Sequence, residues 1–362
     1  MRFFKTVLTL VLPVTLLVQQ THAETEPQTL RIAVVANAVS GKVSFVGSPQ
    51  IVANDEILKS ELAKRHVALQ WVPITPTSVA TLVNEAFTNK QIDFAFYGDL
   101  PSVILNSSGT STRLVAPGSV GNNVYLVVPP NSNVRSITDL KGKRIALHRG
   151  RPWEVSFGKL LATNNLTFND IKVINLNPQA GAAALAAGSV DAFFTMSDAY
   201  TLADKGVGKI VWSSQSLSDD WKMRAELWGA TDFIQKYPEI TQLLVDANVR
   251  AAYWISQDKN KDTFIREQTK FGQPESVIQR EYQNKYGSWQ QNWSPLFTPT
   301  LTQHYQQVAS YALSAKLIRK PVDSNQLLEP KFIPVALKNL KLDKYWTTGN
   351  GAGSSSTARA KP

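Results

Sequence analysis

The chain alternates between two hydrophobic rhythms. Residues 30–36 form a nearly continuous apolar run, the pattern of a strand buried on both faces of a parallel sheet. Residues 78–89 instead set Leu82, Val83, Ala86 and Phe87 on one side of a helix. Further short runs predict strands at 67–74, 93–97, 113–116, 124–128, 144–148, 172–176, 192–196, 210–212 and 224–228. Beyond them the pattern turns helical. One helix is predicted over 232–256, with Pro238 in its first turns or splitting it. Another is predicted over 301–318, with an apolar face of Val308, Ala309, Ala312, Leu313 and Leu317. Strands alternating with helices predict an α/β fold with mostly parallel sheets.

One pattern occurs twice. Residues 84–99 and 183–198 each read as a helix end, a turn, a β-branched residue (Ile92, Val190), an Asp (Asp93, Asp191) and a short aromatic-rich strand. Each then meets a second Asp, Asp99 or Asp198, where a new helix opens. Asp93 and Asp191, preceding strands, read as structural. A strand running into a helix N-terminus offers unpartnered N–H groups and a positive dipole end to an anion. About 320 ordered residues exceed one core. Two lobes sharing a cleft follow: residues 24–124 with 224–348, and residues 125–223. Residues 123–129 and 224–230 are the expected crossings, acting as hinges.

The ends read differently. Arg2 and Lys5 precede an apolar run over 7–18, and Thr21 and Ala23 give a small-residue cleavage site. Residues 1–23 are therefore expected to be a signal peptide cleaved after Ala23, placing the protein in the periplasm. Residues 349–362 are Gly/Ser-rich and read as a disordered tail. There is no cysteine, and of three methionines only Met196 and Met223 outlast the signal peptide. Drift and sulfur economy both account for this. The whole chain carries 38 basic and 28 acidic residues; without Arg2 and Lys5 the balance is 36 to 28, or +8. That favours anionic partners, but the basic residues are scattered, which argues against nucleic acid.

Residues 91–101, 137–146 and 188–192 closely resemble the periplasmic solute-binding proteins for nitrate, sulfonate and taurine that serve ABC importers. The resemblance runs from residue 30 to about 340. It implies a Gram-negative type II binding-protein fold of two lobes, a single small oxyanion in the cleft, and delivery to a membrane permease by a monomer. Three departures stand out. The Gly-rich loop after the first strand is replaced by residues 37–45, where Asn37, Ser40 and Ser44 are placed as donors. The Trp-Asp-Pro after the second copy becomes residues 196–200, retaining Asp198 and Tyr200. The second-lobe loop carries His148, Arg149, Gly150, Arg151, Pro152, Trp153 and Glu154 in place of a Ser or Thr.

That loop is the sharpest chemical signal. Pro152 suits a first helical position and Gly150 permits close approach of backbone to ligand. Arg151 can fork onto two oxygens of a sulfonate or sulfate, an interaction of about 1.5–3 kcal/mol. A surface arginine beside a core Trp153 is the competing interpretation; otherwise Trp153 and Trp228 are candidates to wall an organic tail. Glu154 either belongs to the first turn or greets an amino group, as in taurine. Asp99 and Asp198 are expected as N-caps that organise the site more than touch the anion. Gly98, Ser119, Asn122 and Asn123 complete the expected cleft-facing set.

Enzyme chemistry finds no residues. His66, His148 and His304 are far apart, no H-E-x-x-H or G-x-S-x-G occurs, and residues 206–209 lack the rest of a P-loop. A pyrimidine-synthase relative of the family uses Cys and His that are missing here. No catalytic residue, metal or cofactor is expected. The expectation is capture of an organic sulfonate or sulfate ester for an ABC permease. The alternatives are a nitrate, other oxyanion or thiamine-precursor binder, or an exported sensor ectodomain.

Overall fold

The apolar runs become strands of two sheets. The computed structural model describes residues 26–39, 42–283 and 288–347; the expected signal peptide, Ser40 and the tail lie outside them. The strands are β1 (Thr29–Val39), β2 (Lys42–Phe45), β3 (Ala68–Ile74), β4 (Phe94–Gly98), β5 (Thr112–Ala116), β6 (Tyr125–Val128), β7 (Arg144–Leu147), β8 (Lys172–Asn175), β9 (Ala192–Thr195), β10 (Lys209–Ser213) and β11 (Ala225–Ala230). In the first sheet β1 lies between β3 and β4, and β11 lies between β4 and β5. The second sheet has the order β10-β6-β9-β7-β8. This is the two-lobed α/β architecture of periplasmic binding proteins. Each sheet also contains a strand antiparallel to both neighbours, β11 in the first and β6 in the second.

The chain passes between sheets through residues 117–124 and returns through 214–224. Asn122 and Met223 join these two segments as an antiparallel bridge, with N–H···O distances of 2.8 and 3.1 Å. The strands expected as crossings, β6 and β11, are instead interior strands. The apolar run of β6 and the buried Leu227 and Trp228 of β11 reflect burial within a sheet; the crossings themselves are the polar stretches just before them.

The doubled pattern has a common physical cause. Asp93 accepts from the Arg31 backbone N–H at 2.8 Å and from Arg31 Nε and Nη2 at 3.1 and 2.6 Å. Asp191 accepts from the Arg144 backbone N–H at 2.7 Å and from Arg144 Nε and Nη2 at 3.2 and 2.9 Å. Each Asp thereby clamps its strand, β4 or β9, to the first residues of the parallel neighbour, β1 or β7. In each copy the arginine also donates to the carbonyl of a left-handed turn residue, Lys90 (φ 54°) or Gly188 (φ 68°). The guanidinium beside it holds the Asp191 carboxyl below the usual range.

Helices cover both sheets. Helix α1 (Val79–Thr88) buries Val79, Val83, Ala86 and Phe87, but Leu82, expected among them, is 39% exposed. Helix α2 (Asp99–Ser107) follows β4, α3 (Pro152–Thr163) follows β7 and α4 (Asp198–Asp204) follows β9. Pro238 does split the long helical run: a short helix at Thr231–Lys236 ends before α5 (Pro238–Ser256). Two more helices, α6 (Lys261–Thr269) and α7 (Glu275–Tyr282), precede α8 (Pro299–Ser314). Helix α8 ends before the expected residue 318, because Lys316 turns left-handed at φ 58°. Its buried face runs through Leu301, Tyr305, Val308 and Ala312, leaving Leu313 exposed. Among the described residues no helix is long and apolar enough to cross a membrane.

Candidate functional site

Two helix N-termini meet where the sheets face each other. β4 passes through Gly98, the cap residue, into α2. β7 passes through residues 148–151 into α3, with Arg151 at the cap and Pro152 in the first position. A Cβ on Gly98 would lie 2.2 Å from Pro152 Cγ, so the lobes touch here only because residue 98 has no side chain. Gly150, at φ 71°, turns the loop in the left-handed region that glycine tolerates best.

Arg151 is 8% exposed, and its side chain makes no hydrogen bond or ion pair among the described residues. Its Nε is buried without a partner, and its Cζ lies 5.1 Å from the Trp153 ring. Burial lowers its pKa to about 10, which leaves it charged at neutral pH. His148 stands 6.1 Å from the same indole, ring to ring, and its Nδ1 is likewise buried and unpartnered. Burial, and then the neighbouring Arg151 charge, depress its pKa to about 4. Glu154 does not neutralise Arg151. Its carboxylate accepts from Arg149 Nε at 2.7 Å, from the Gly150 N–H and from the Tyr311 hydroxyl at 3.0 Å. It therefore belongs to the first turn and to the contact with α8, and is not available to a ligand amine. Trp153 packs in the core of the second sheet and Trp228 in that of the first. Both indoles are buried in these cores, and Trp153 backs the guanidinium.

The first-lobe residues form a second, fully paired layer. Asp99 is buried at the first position of α2, one residue past the cap where it was expected. It accepts from the Leu100 and Arg224 N–H groups at 2.6 and 3.2 Å and lies 2.7 Å from His304 Nε2. Arg224 pairs with Glu226 at 2.6 Å and donates to the carbonyls of Ser119 and Val120. Lys222 donates to Asn123 Oδ1 at 2.8 Å and to the Ser214 carbonyl at 2.9 Å; burial lowers its pKa. Thus Ser119 and Asn122 lie on a crossing segment pinned by the returning one. The Ser119 hydroxyl accepts from the Gly121 N–H.

Asn37 and Asp198 are joined to a different feature, a strap from the C-terminal helices. Asn37 and Ser44 face each other in the β1–β2 hairpin, where an open loop was expected. Asn37 Nδ2 donates to the Phe271 carbonyl at 2.9 Å, and Gln268 accepts from the Gly47 N–H at 2.7 Å. Two residues on, Gln273 Nε2 donates to Ser197 Oγ at 3.0 Å in the other lobe. Asp198, whose cap position is taken by Ser197, accepts from Thr195; burial raises its pKa, offset by Thr195 and Gln273. Farther along α7, Arg280 forks onto Asp204, and Glu281 accepts from Tyr125 Oη at 2.6 Å and Asn123 Nδ2 at 2.9 Å.

The structure therefore brings Gly98, Asp99, Gly150 and Arg151 to one junction. Ser119 and Asn122 lie in the pinned crossing beside it, and Asn37 and Asp198 lie under the strap. Sequence reasoning missed Lys222, Glu226, His304, Gln273 and Glu281 as site supports. Only His304 carried a signal, as a polar residue on the apolar face of α8 that had to find a buried partner.

A family model described as NMT1/THI5 like matches residues 72–261, just over half of the chain. A solved structure from Methylobacillus flagellatus KT, provisionally named a periplasmic sulfonate-binding protein (SsuA) of a sulfonate ABC transporter, is 48% identical. It superposes with a TM-score of 0.81 over 88% of this chain and 96% of that one. A provisionally named aliphatic sulfonates-binding protein of Escherichia coli (strain K12) is 26% identical over 183 residues, 50% of this chain; the match spans about half, 53%, of that relative. The fold is shared more widely. The desulfurization enzyme DszB superposes with a TM-score of 0.63 at 16% identity, over 87% of this chain and all of that one.

Proposed function

The chain belongs to the NMT1/THI5-like family, and on that premise we propose that it captures an organic sulfonate or sulfate ester in the periplasm and hands it to an ABC permease for sulfur uptake. One observation carries the oxyanion: a buried, charged guanidinium with no anion beside it among the described residues, at the start of a twelve-residue helix. An unpaired buried charge is costly, and a bound anion removes that cost. A sulfonate group supplies two oxygens to the guanidinium fork and a third to the N–H groups of the helix terminus. The organic tail rests on the names of the relatives, and the choice of sulfur over nitrate is supported by a mature chain with two methionines and no cysteine.

The ligand is bound and released unchanged. The junction offers an arginine, a histidine and backbone donors, and no thiol exists to act as a nucleophile. A thermal-shift panel of taurine, alkanesulfonates, alkyl and aryl sulfates, nitrate, sulfate and a thiamine precursor tests the proposal. A sulfonate or sulfate ester at a hundredfold excess over Kd should stabilise the protein by about 2.7 kcal/mol. A shift with nitrate alone, or with the thiamine precursor alone, would overturn the sulfur assignment. Loss of growth on that ligand as sole sulfur source, when the permease is deleted, tests the delivery step.

A further inference from the structure

We infer that His148 is a second contact to the bound anion and that it takes up a proton as the ligand enters. The inference rests on the oxyanion site just proposed. Two independent features of the loop point to it. His148 Nδ1 and Arg151 Nε are both buried and both lack a partner, although most buried polar atoms have one. Both side chains also gather at one indole, Trp153, at 6.1 and 5.1 Å. A ligand placed against Arg151 is therefore placed beside the imidazole as well.

The charges around His148 set the direction of the effect. In the empty protein the neighbouring cation is Arg151. Arg149, on the same loop, is turned away onto Glu154 and over the Phe168 ring, 5.0 Å from its centroid. No carboxylate offsets these cations at the imidazole. Glu154 on α3 is taken by Arg149, Gly150 and the Tyr311 hydroxyl of α8. Asp99 on α2 is taken by His304. Burial and Arg151 consequently keep His148 neutral down to about pH 4. A bound sulfonate cancels the repulsion from Arg151 and adds an attraction of its own. A proton from solvent then settles on the imidazole, which donates N–H to a ligand oxygen. No bond in the ligand is made or broken.

The sign of the linkage follows. Below about pH 4 both states hold the proton, and at high pH neither does. Between the empty-state and bound-state values, binding takes up a proton, so affinity rises as pH falls. Butanesulfonate is a suitable probe because it does not titrate in this range. Its Kd on the mature protein should tighten about tenfold from pH 7 to pH 5, the effect of raising the imidazole pKa by about two units. Calorimetry in buffers of different ionisation enthalpy should show net proton uptake over the same interval. His148→Gln should flatten the pH profile, so that its Kd no longer tightens between pH 7 and pH 5. Imidazole 15N signals of the wild type, which has few histidines to assign, report the same event whether or not His148→Gln folds. Tight binding with a flat pH profile, no proton uptake and a neutral bound imidazole would overturn the role of His148 and leave the oxyanion site standing. Failure of the wild type to bind any oxyanion at any pH would overturn both.

Discussion

Arg151 is the residue on which stability and binding pull in opposite directions. A guanidinium buried without an anion weakens the empty fold, while its loss removes the charged hydrogen bonds that hold a ligand. Arg151→Met keeps the contact with Trp153 and removes the charge. It should raise the melting temperature of the ligand-free protein and weaken sulfonate binding at least about tenfold, as one charged hydrogen-bond pair is worth. A lower melting temperature with unchanged Kd would return Arg151 to an ordinary structural role. At this scale the sequence was legible where local geometry dictates the residue. Gly150 and Pro152 around Arg151 mark a loop entering a helix, and they do so in the structure. It was not legible where the partner is distant. Nothing adjacent to Asp99 announces His304, and nothing adjacent to Glu154 announces Tyr311, because those contacts depend on where α8 is laid.

At the level of elements, the two Asp–Arg clamps are equivalent in geometry but not in burial. The Asp93 side chain is 6% exposed and that of Asp191 is 33% exposed. Hydrogen bonds to a buried carboxylate contribute more, since water competes less for the groups. Asp93→Ala should therefore destabilise the protein by about 2 kcal/mol, and Asp191→Ala by clearly less. Urea denaturation of the two variants checks the order, and neither should alter the ligand Kd by more than about threefold. Equal losses would show that solvent screening does not separate the two lobes. Strand positions were readable because a buried strand has to be apolar along its length. Strand direction was not: the buried apolar residues of β6 and β11 do not distinguish them from the parallel strands of the same sheets, and their antiparallel sense is set by how the chain returns between lobes. The β1–β2 hairpin was missed for a related reason, as Lys42, Val43 and Ser44 lack a clean alternation.

For the molecule as a whole, the two lobes meet at Gly98 and Pro152. Gly98 has an ordinary backbone (φ −76°), so alanine at this position strains nothing within its own lobe. Its methyl would nevertheless overlap the stiff Pro152 ring across the junction. Gly98→Ala should lower the melting temperature of the ligand-free protein, enlarge it in solution scattering by pushing the lobes apart, and weaken binding about tenfold or more. Melting temperature and dimensions equal to the wild type would show that the lobes do not depend on this contact. The strap adds a constraint in time. Residues 268–283 hold the first lobe through Asn37 and Gly47 and the second through Ser197, Asp204 and Tyr125, so the lobes cannot part without breaking bonds on one side. Any ligand held between the lobes would then leave only as fast as the strap lets them part. Because the Arg280–Asp204 pair is partly open to solvent, raising salt should speed ligand release by a measurable factor, and Arg280→Gln should abolish that part of the salt effect in stopped-flow measurements. A strap bonded to both lobes makes their rate of separation depend on residues such as Arg280, far in sequence from the Gly98–Arg151 junction, so the two properties can be altered by separate substitutions.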